Sequence, residues 1–368
     1  MSGLLILFHG SEGSTWFCDM LGAHDEAGHV LHEPFRLATK RGPGFDEAQR
    51  LALFDAIYAH GRDAPDSVWT GDGRYPERDL AAIRARAGRP LPFVKMRLAE
   101  LPAGTLAERL ERHDVKLLVM ARRNRLKQAV SQVRKKHLRM GQKHEGRRAE
   151  PAPIDLFFAQ AFAEKAEDAT RANFDFAAQS GRPWMQVDYE DLQADPGAIL
   201  GEVQDFAGLE RRSLSAELSL AKATPERLDQ AVANYAGFHA HFSATDFARH
   251  LEPLTPERAE QEAGLLGRAI ESRRGDPDFL VYWGRYLMRC GDLAAAQAML
   301  AEALEKAPKN TEAWRLTALV LERRNRIPEA LEAALQAAGL ENGAARLVER
   351  LERKAARRGR RDRDKTPQ

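Results

Sequence analysis

Short apolar runs recur through the first half of the chain, each closed by turn residues and most followed by polar positions at helical spacing. Leu4 to Phe8 (LLILF), Phe93 to Met96 (FVKM), Val115 to Met120 (VKLLVM) and Pro183 to Tyr189 (PWMQVDY) have the pattern of strands. STWFCDMLGAH, from Ser14, reads as a helix with Ser14 or Thr15 near its cap and Gly22 near its end. VLHEPF is a short strand or a loop, since Pro34 stops a helix there. RNRLKQAVSQVRKKHLRM, about residues 154–180, and DPGAILGEVQDFAGL carry further helices, while GQKHEGRRAEPAP reads as a mobile loop. Strands alternating with helices at this spacing predict a three-layer α/β domain with a mostly parallel sheet.

Past residue 255 the strand pattern stops, and alanine, leucine, glutamate and arginine dominate. Leu280, Gly284, Leu287, Ala296, Leu300 and Ala303, with Pro308 closing the unit, are followed by Trp314, Ala318, Leu321, Ala330, Ala334 and Ala337 at a constant offset of 34. That period and those small residues match a tetratricopeptide repeat, in which small side chains let paired helices approach closely. Two such repeats are few for independent stability, so they are expected to pack on other structure or on another chain. The predicted organisation is an α/β domain over 1–252, an all-α repeat region over 253–357 and a charged, disordered tail over 358–368.

Composition changes this picture little. Of 368 residues, 43% are hydrophobic and 30% charged, and the net charge of +2 gives no global field toward nucleic acid or membrane. Cys18 and Cys290 stand too far apart in sequence to suggest a disulfide framework or metal cluster, and both read as reduced core thiols. No apolar run approaches the roughly 20 residues that span a bilayer. A cytoplasmic protein without metal is expected.

The chemistry concentrates in three places. FHGSEGSTW, Phe8 to Trp16, sets small residues between a strand and a helix, the usual arrangement for presenting helix N–H groups to an anion. No lysine or arginine lies within it. In the second place, RNRLKQAVS, Arg123 ends a strand and Ser131 follows eight positions later inside a helix, so a guanidinium and a hydroxyl could grip one phosphate. The third is VDYEDLQADPGAILGEVQDFAGL, in which a strand ends in a tyrosine-acid-acid turn before an Asp-Pro helix start. A nucleotide kinase is disfavoured, because GSEGST lacks the Lys-Ser/Thr pair that holds β/γ-phosphates and magnesium.

On these motifs, residues 1–252 resemble the bacterial sulfotransferases that use 3′-phosphoadenosine 5′-phosphosulfate (PAPS). GSEGSTW stands where such proteins have a loop like PRSGSTW, RNRLKQAVS matches their 3′-phosphate element, and YEDL-x-x-DP with FAGL matches their later strand, turn and helix. FVKMR and KATPERLDQAVANY also have counterparts there. The resemblance implies the sulfotransferase fold, with the donor held by Ser11, Glu12, Gly13, Ser14, Thr15 and Trp16 and by Arg123, Ser131 and Tyr189. Trp16 and Tyr189 serve either as packing residues or as nucleotide contacts. The family's loop cation is missing, since Ser11 and Glu12 occupy its place; His9, Lys95 or Arg97 could supply the charge.

An acceptor hydroxyl or amine must lose a proton as it is sulfated, and LHEPF offers Glu33 first and His32 second as the base. With Lys95 they form the candidate catalytic set. The implied activity is transfer of sulfuryl from PAPS to a metabolite, glycan, lipid or peptide, with a protein partner or self-association served by the repeats. The other reading is a non-catalytic nucleotide- or partner-binding protein on the same scaffold.

Overall fold

The computed structural model describes residues 3–10, 13–24, 30–35, 38–39, 42–43, 46–59, 93–140, 150–214, 225–340 and 344–363. The chain divides into two compact units. One comprises residues 1–132, 142–145 and 160–222; the other comprises 133–141, 146–159 and 223–368.

The first unit is built on a five-stranded sheet of β1 (Leu4–Leu7), β2 (Leu31–His32), β5 (Phe93–Met96), β6 (Lys116–Ala121) and β7 (Trp184–Asp188). Their order is β2-β5-β1-β6-β7, with every pairing parallel. Two further two-residue strands, β3 (Ala38–Thr39) and β4 (Gly42–Pro43), form a separate antiparallel pair. Alternate residues of the central strands feed opposite faces, which is what makes three layers. Leu5, Leu7, Val94, Met96, Leu117 and Val119 join one core, shared with α2 (Glu47–Tyr58) and α3 (Ala103–Arg112). Leu4, Ile6, Phe93, Leu118 and Met120 join the other, shared with α1 (Ser14–Leu21) and a later helix, α7 (Pro196–Ala207). The parallel, three-layer architecture expected from the apolar runs is therefore present.

The strand order matters for function. The chain leaves β1 toward β2 on one side and later reaches β6 on the other side, so β1 borders the position where the winding reverses. Crevices at the carboxyl ends of strands beside such a reversal are where α/β sheets bind ligands.

Between β6 and β7 lie α4 (Arg125–Lys136) and α5 (Leu156–Gln179); α6 (Tyr189–Ala194) follows β7 directly. Helix ends follow local chemistry. At α7, Asp195 accepts from Ala198 N–H at 2.9 Å, Pro196 opens the first turn, and Gly208 closes the helix at φ +78°. At α1 Gly13 is the cap, at φ +72°, and Ser14, expected near the cap, is the first helical residue.

The second unit contains α8 (Leu228–Ala231), α9 (Tyr235–Ser243), α10 (Pro256–Glu260), α11 (Glu262–Glu271), α12 (Pro277–Cys290), α13 (Leu293–Lys306), α14 (Thr311–Arg323), α15 (Ile327–Leu340) and α16 (Ala345–Arg363). The repeat seen in the apolar positions extends to the helix ends. Asp276 and Asn310 cap α12 and α14, and Gly291 and Asn325 take the left-handed turns that follow those helices. A Cβ on Gly284 would lie 3.0 Å from Leu300 Cγ, which is why that position is small. Asp155 belongs to this unit and is fully buried; Oδ1 accepts from Phe157 and Phe158 N–H, while burial pushes the carboxyl above its ordinary range.

Two expectations change. Cys18 is a core thiol, pushed up to about 12 by burial, but Cys290 is exposed. Helix α16 continues to Arg363, through residues 358–363 where a disordered tail was expected. Among the described residues no helix is long and apolar enough to cross a membrane.

Candidate functional site

The candidate residues converge on the carboxyl ends of β1, β2, β5, β6 and β7. Phe8 follows β1, Glu33 follows β2, Arg97 follows β5, Arg122 and Arg123 follow β6, and Tyr189 follows β7. The sequence scatters these residues over 180 positions; the parallel sheet gathers them because every strand points the same way.

The turn from β1 into α1 is held open by glycine geometry. Gly10 has φ +140° and Gly13 +72°. A Cβ on Gly13 would lie 2.3 Å from Tyr189 Cδ2, and one on Gly10 would lie 2.8 Å from Gln132 Nε2. Both neighbours approach the backbone more closely than any side chain would permit. Fully buried Gln128 donates to Gly10 O at 2.7 Å, pinning the loop to α4. Ser11 and Glu12 lie outside the described residues. Ser14 is buried, whereas Thr15 and Trp16 are half-buried; the Trp16 indole meets the Tyr189 ring edge-on at 6.3 Å. Trp16 Nε1 is buried without a hydrogen-bond partner among the described residues.

A cation reaches this turn from the neighbouring strand. Lys95 is only 2% exposed, pairs in register with Ile6, and donates from Nζ to Thr15 Oγ1 at 3.3 Å. The same ammonium lies 4.7 Å from the centre of the Phe8 ring, and the Arg97 guanidinium lies 5.5 Å from it. Burying an ammonium is costly unless polar or aromatic groups surround it, so this lysine is a built feature. Glu33 is next to it. Its N–H donates to Lys95 O at 2.7 Å, its carboxylate lies 3.9 Å from Arg97 Nη2, and its φ of +49° is unusual for a side-chain-bearing residue. His32 ends β2, and its side chain lies outside the described residues. His9 is half-buried at the start of the loop.

The turn after β6 is charged in the opposite sense. Arg123 donates from Nη1 to Asp191 Oδ2 at 3.0 Å and from Nη2 to Asp191 Oδ1 at 2.5 Å, with Asp188 3.7 Å away. The hydrogen bond to Asp191 raises the guanidinium's already high pKa. Glu190 accepts from the backbone N–H of Arg123 and of Asn124, at 2.9 and 3.0 Å. Asn124 Oδ1 then caps α4 by accepting from Lys127 N–H at 2.9 Å. Burial raises the Asp188 carboxyl above its ordinary range, and its Oδ1 is buried without a hydrogen-bond partner among the described residues. Ser131 is half-buried on α4. Arg123 is thus drawn to the acidic turn Asp188–Asp191.

Several participants were not among the candidates read from the sequence. Arg122 stacks its guanidinium 4.5 Å above Tyr189, backing the ring that covers Gly13. Gln128 and Gln132 both address Gly10; their four-residue spacing on one helix face was a legible hint, but an amide pair has no motif of its own. Among the described residues, no group of three or more His, Cys, Asp or Glu side chains is placed to hold a metal ion.

Comparison with known proteins adds the following. A tetratricopeptide-repeat family model matches residues 277–319. Nodulation protein H of Rhizobium meliloti (strain 1021) is 31% identical over 140 residues, covering 38% of this chain and 56% of that protein. A second Nodulation protein H from Rhizobium meliloti matches over the same extent, so the chain spans about half the length of these relatives. Among solved structures, the sulfotransferase domain of the Synechococcus PCC 7002 olefin synthase is similar with a TM-score of 0.38 and 19% identity, covering 72% of this chain and 94% of that one. The sulfotransferase domain from the curacin biosynthetic pathway has a TM-score of 0.37 and 15% identity, covering 72% and 98% respectively.

Proposed function

We propose that this chain is a sulfotransferase that moves the sulfuryl group of PAPS to a hydroxyl or amine of a metabolite, glycan, lipid or peptide. The observation that carries this reading is the hydrogen bond from buried Lys95 to Thr15. It brings a positive charge to the first turn of α1, beside a loop whose own sequence has none. The order of the three motifs along residues 1–252 supports the same reading.

In this mechanism the donor's 5′-phosphate lies on the N–H groups at the start of α1, bordered by Ser11, Glu12, Gly13 and Ser14. The 3′-phosphate meets Arg123 and Ser131, and the adenine packs beside Trp16 and Tyr189. Glu33, with His32 as second candidate, takes the acceptor proton as the acceptor atom bonds to sulfur and the bond from sulfur to the 5′-phosphate oxygen breaks. The negative charge left on that phosphate is stabilised by Lys95 and the helix start. No metal has a part in these steps. The repeats would bind a protein partner or a second copy of the chain, and the setting would be cytoplasmic.

Absence of a lysine or arginine between Phe8 and Trp16 favours a second reading, a nucleotide- or partner-binding protein without transfer. Calorimetry with 3′-phosphoadenosine 5′-phosphate and adenosine 5′-phosphate tests the first requirement. The 3′-phosphorylated nucleotide should bind at least about tenfold more tightly, the scale of a charge-assisted hydrogen bond. Equal affinities would remove both readings that involve this nucleotide. Sulfate transfer from PAPS to a broad acceptor panel then separates enzyme from binding protein.

A further inference from the structure

Two carboxylates engage the turn at Arg123 in different ways. Glu190 takes the backbone, accepting from the N–H groups of Arg123 and Asn124, so the donors at the entrance to α4 are already satisfied by the chain itself. Asp191 takes the side chain through two parallel hydrogen bonds, the same fork geometry in which a guanidinium grips phosphate. The first contact fixes the turn. The second is open to water, with the Arg123 side chain 55% and that of Asp191 47% exposed, so little opposes exchange of the carboxylate for another anion. Asp188, 12% exposed and 3.7 Å from the guanidinium, stands behind it as a less accessible counter-charge.

We infer that Asp191 is an exchangeable stand-in for the nucleotide's 3′-phosphate. On binding, Arg123 trades the Asp191 carboxylate for the phosphate while Glu190 keeps the turn in position. Asp191 therefore sets how tightly a 3′-phosphorylated nucleotide is held, including the product that must leave after each transfer. It opposes only the 3′-phosphate, since a nucleotide without that group leaves the Arg123–Asp191 pair undisturbed. The inference rests on the sulfotransferase reading for the identity of the phosphate, and on the geometry of the Arg123 turn for the exchange.

The test is calorimetry on the full chain with 3′-phosphoadenosine 5′-phosphate and adenosine 5′-phosphate, in the parent and in Asp191→Asn, Asp191→Ser and Glu190→Gln. Both Asp191 variants should bind the 3′-phosphorylated nucleotide about two- to fivefold more tightly, the scale of releasing one exposed ion pair, with no change for adenosine 5′-phosphate. Glu190→Gln should lower the melting temperature without that tightening. Unchanged or weaker binding in the Asp191 variants, tightening for both nucleotides alike, or equal tightening in Glu190→Gln would overturn the exchange. If the parent itself shows no preference for the 3′-phosphate, the underlying reading fails instead, which is a separate result in the same titrations.

Discussion

The turn after β1 has no lysine or arginine of its own and receives one from β5, whereas the turn after β6 has two arginines and faces three carboxylates from β7 and α6. The first turn is a polar loop made cationic by a neighbour, and the second is a basic segment largely neutralised by one. In both, the deciding charge comes from the strand adjacent in the sheet or the helix directly after it. Charge balance at a parallel sheet's carboxyl edge thus follows the spatial order of strands, which a local motif does not encode.

Removing the charges beside the first turn should have the largest effects. On any acceptor that the protein sulfates, Glu33→Gln should slow transfer by about 10²–10⁴-fold while leaving nucleotide affinity unchanged. Lys95→Met keeps the buried stem but removes the cation, and should slow transfer by about 10²–10³-fold. Steady-state rates and calorimetry on the same preparations separate the two roles. Transfer at the parental rate in Glu33→Gln would move the base to His32, and in Lys95→Met it would mean that the first turn works without an imported cation.

A smaller effect is expected from Gly13→Ala, because its φ is +72° and its Cβ would fall 2.3 Å from the Tyr189 ring. Strain and clash together should cost about 1–3 kcal/mol of stability, read from the denaturant midpoint. An unchanged midpoint would show that Tyr189 turns aside freely and that the two turns are not coupled through that ring.

The smallest effect concerns pH. Burial raises the Asp188 carboxyl in the folded state, so the folded protein holds that proton more tightly than the unfolded chain does. This contribution to stability is fully present below the ordinary carboxylate pKa and is lost as pH rises through the raised one. Asp188→Asn stays neutral throughout, so its melting temperature should gain on the parent's as pH rises across that window. A gap moving the other way would mean that Arg123, rather than burial, dominates at Asp188.

Much of the frame was readable from residue patterns. LLILF, FVKM and VKLLVM are strands because continuous apolar runs have few other stable uses in an α/β chain, and the offset of 34 from Leu280 to Trp314 reappears in the helix caps. VLHEPF was ambiguous because its strand is only two residues long, too short to impose a pattern. The candidate site was less legible. Lys95 could be singled out as a charge in a buried strand, but its contact with Thr15 depends on β5 lying beside β1. Arg123 and Ser131 were visible as a spacing, yet the hold of Asp191 on Arg123 joins segments 68 positions apart. Cys290 and residues 358–363 differed from expectation because neither a lone thiol nor a basic run fixes its own surroundings; α16 is anchored through Leu347, Val348 and Leu351 instead.

The pinning of Gly10 by Gln128, and the seating of Tyr189 against Gly13, also constrain the order of events during synthesis. The loop after β1 is synthesised before either of its wedges, which come from positions more than a hundred residues later. A nascent chain therefore carries the loop without its shape until α4 and then α6 have emerged. Every truncated product ending before Tyr189 lacks the ring that seats against Gly13, so the growing chain cannot hold the finished turn until the strand and helix that shape it have been made.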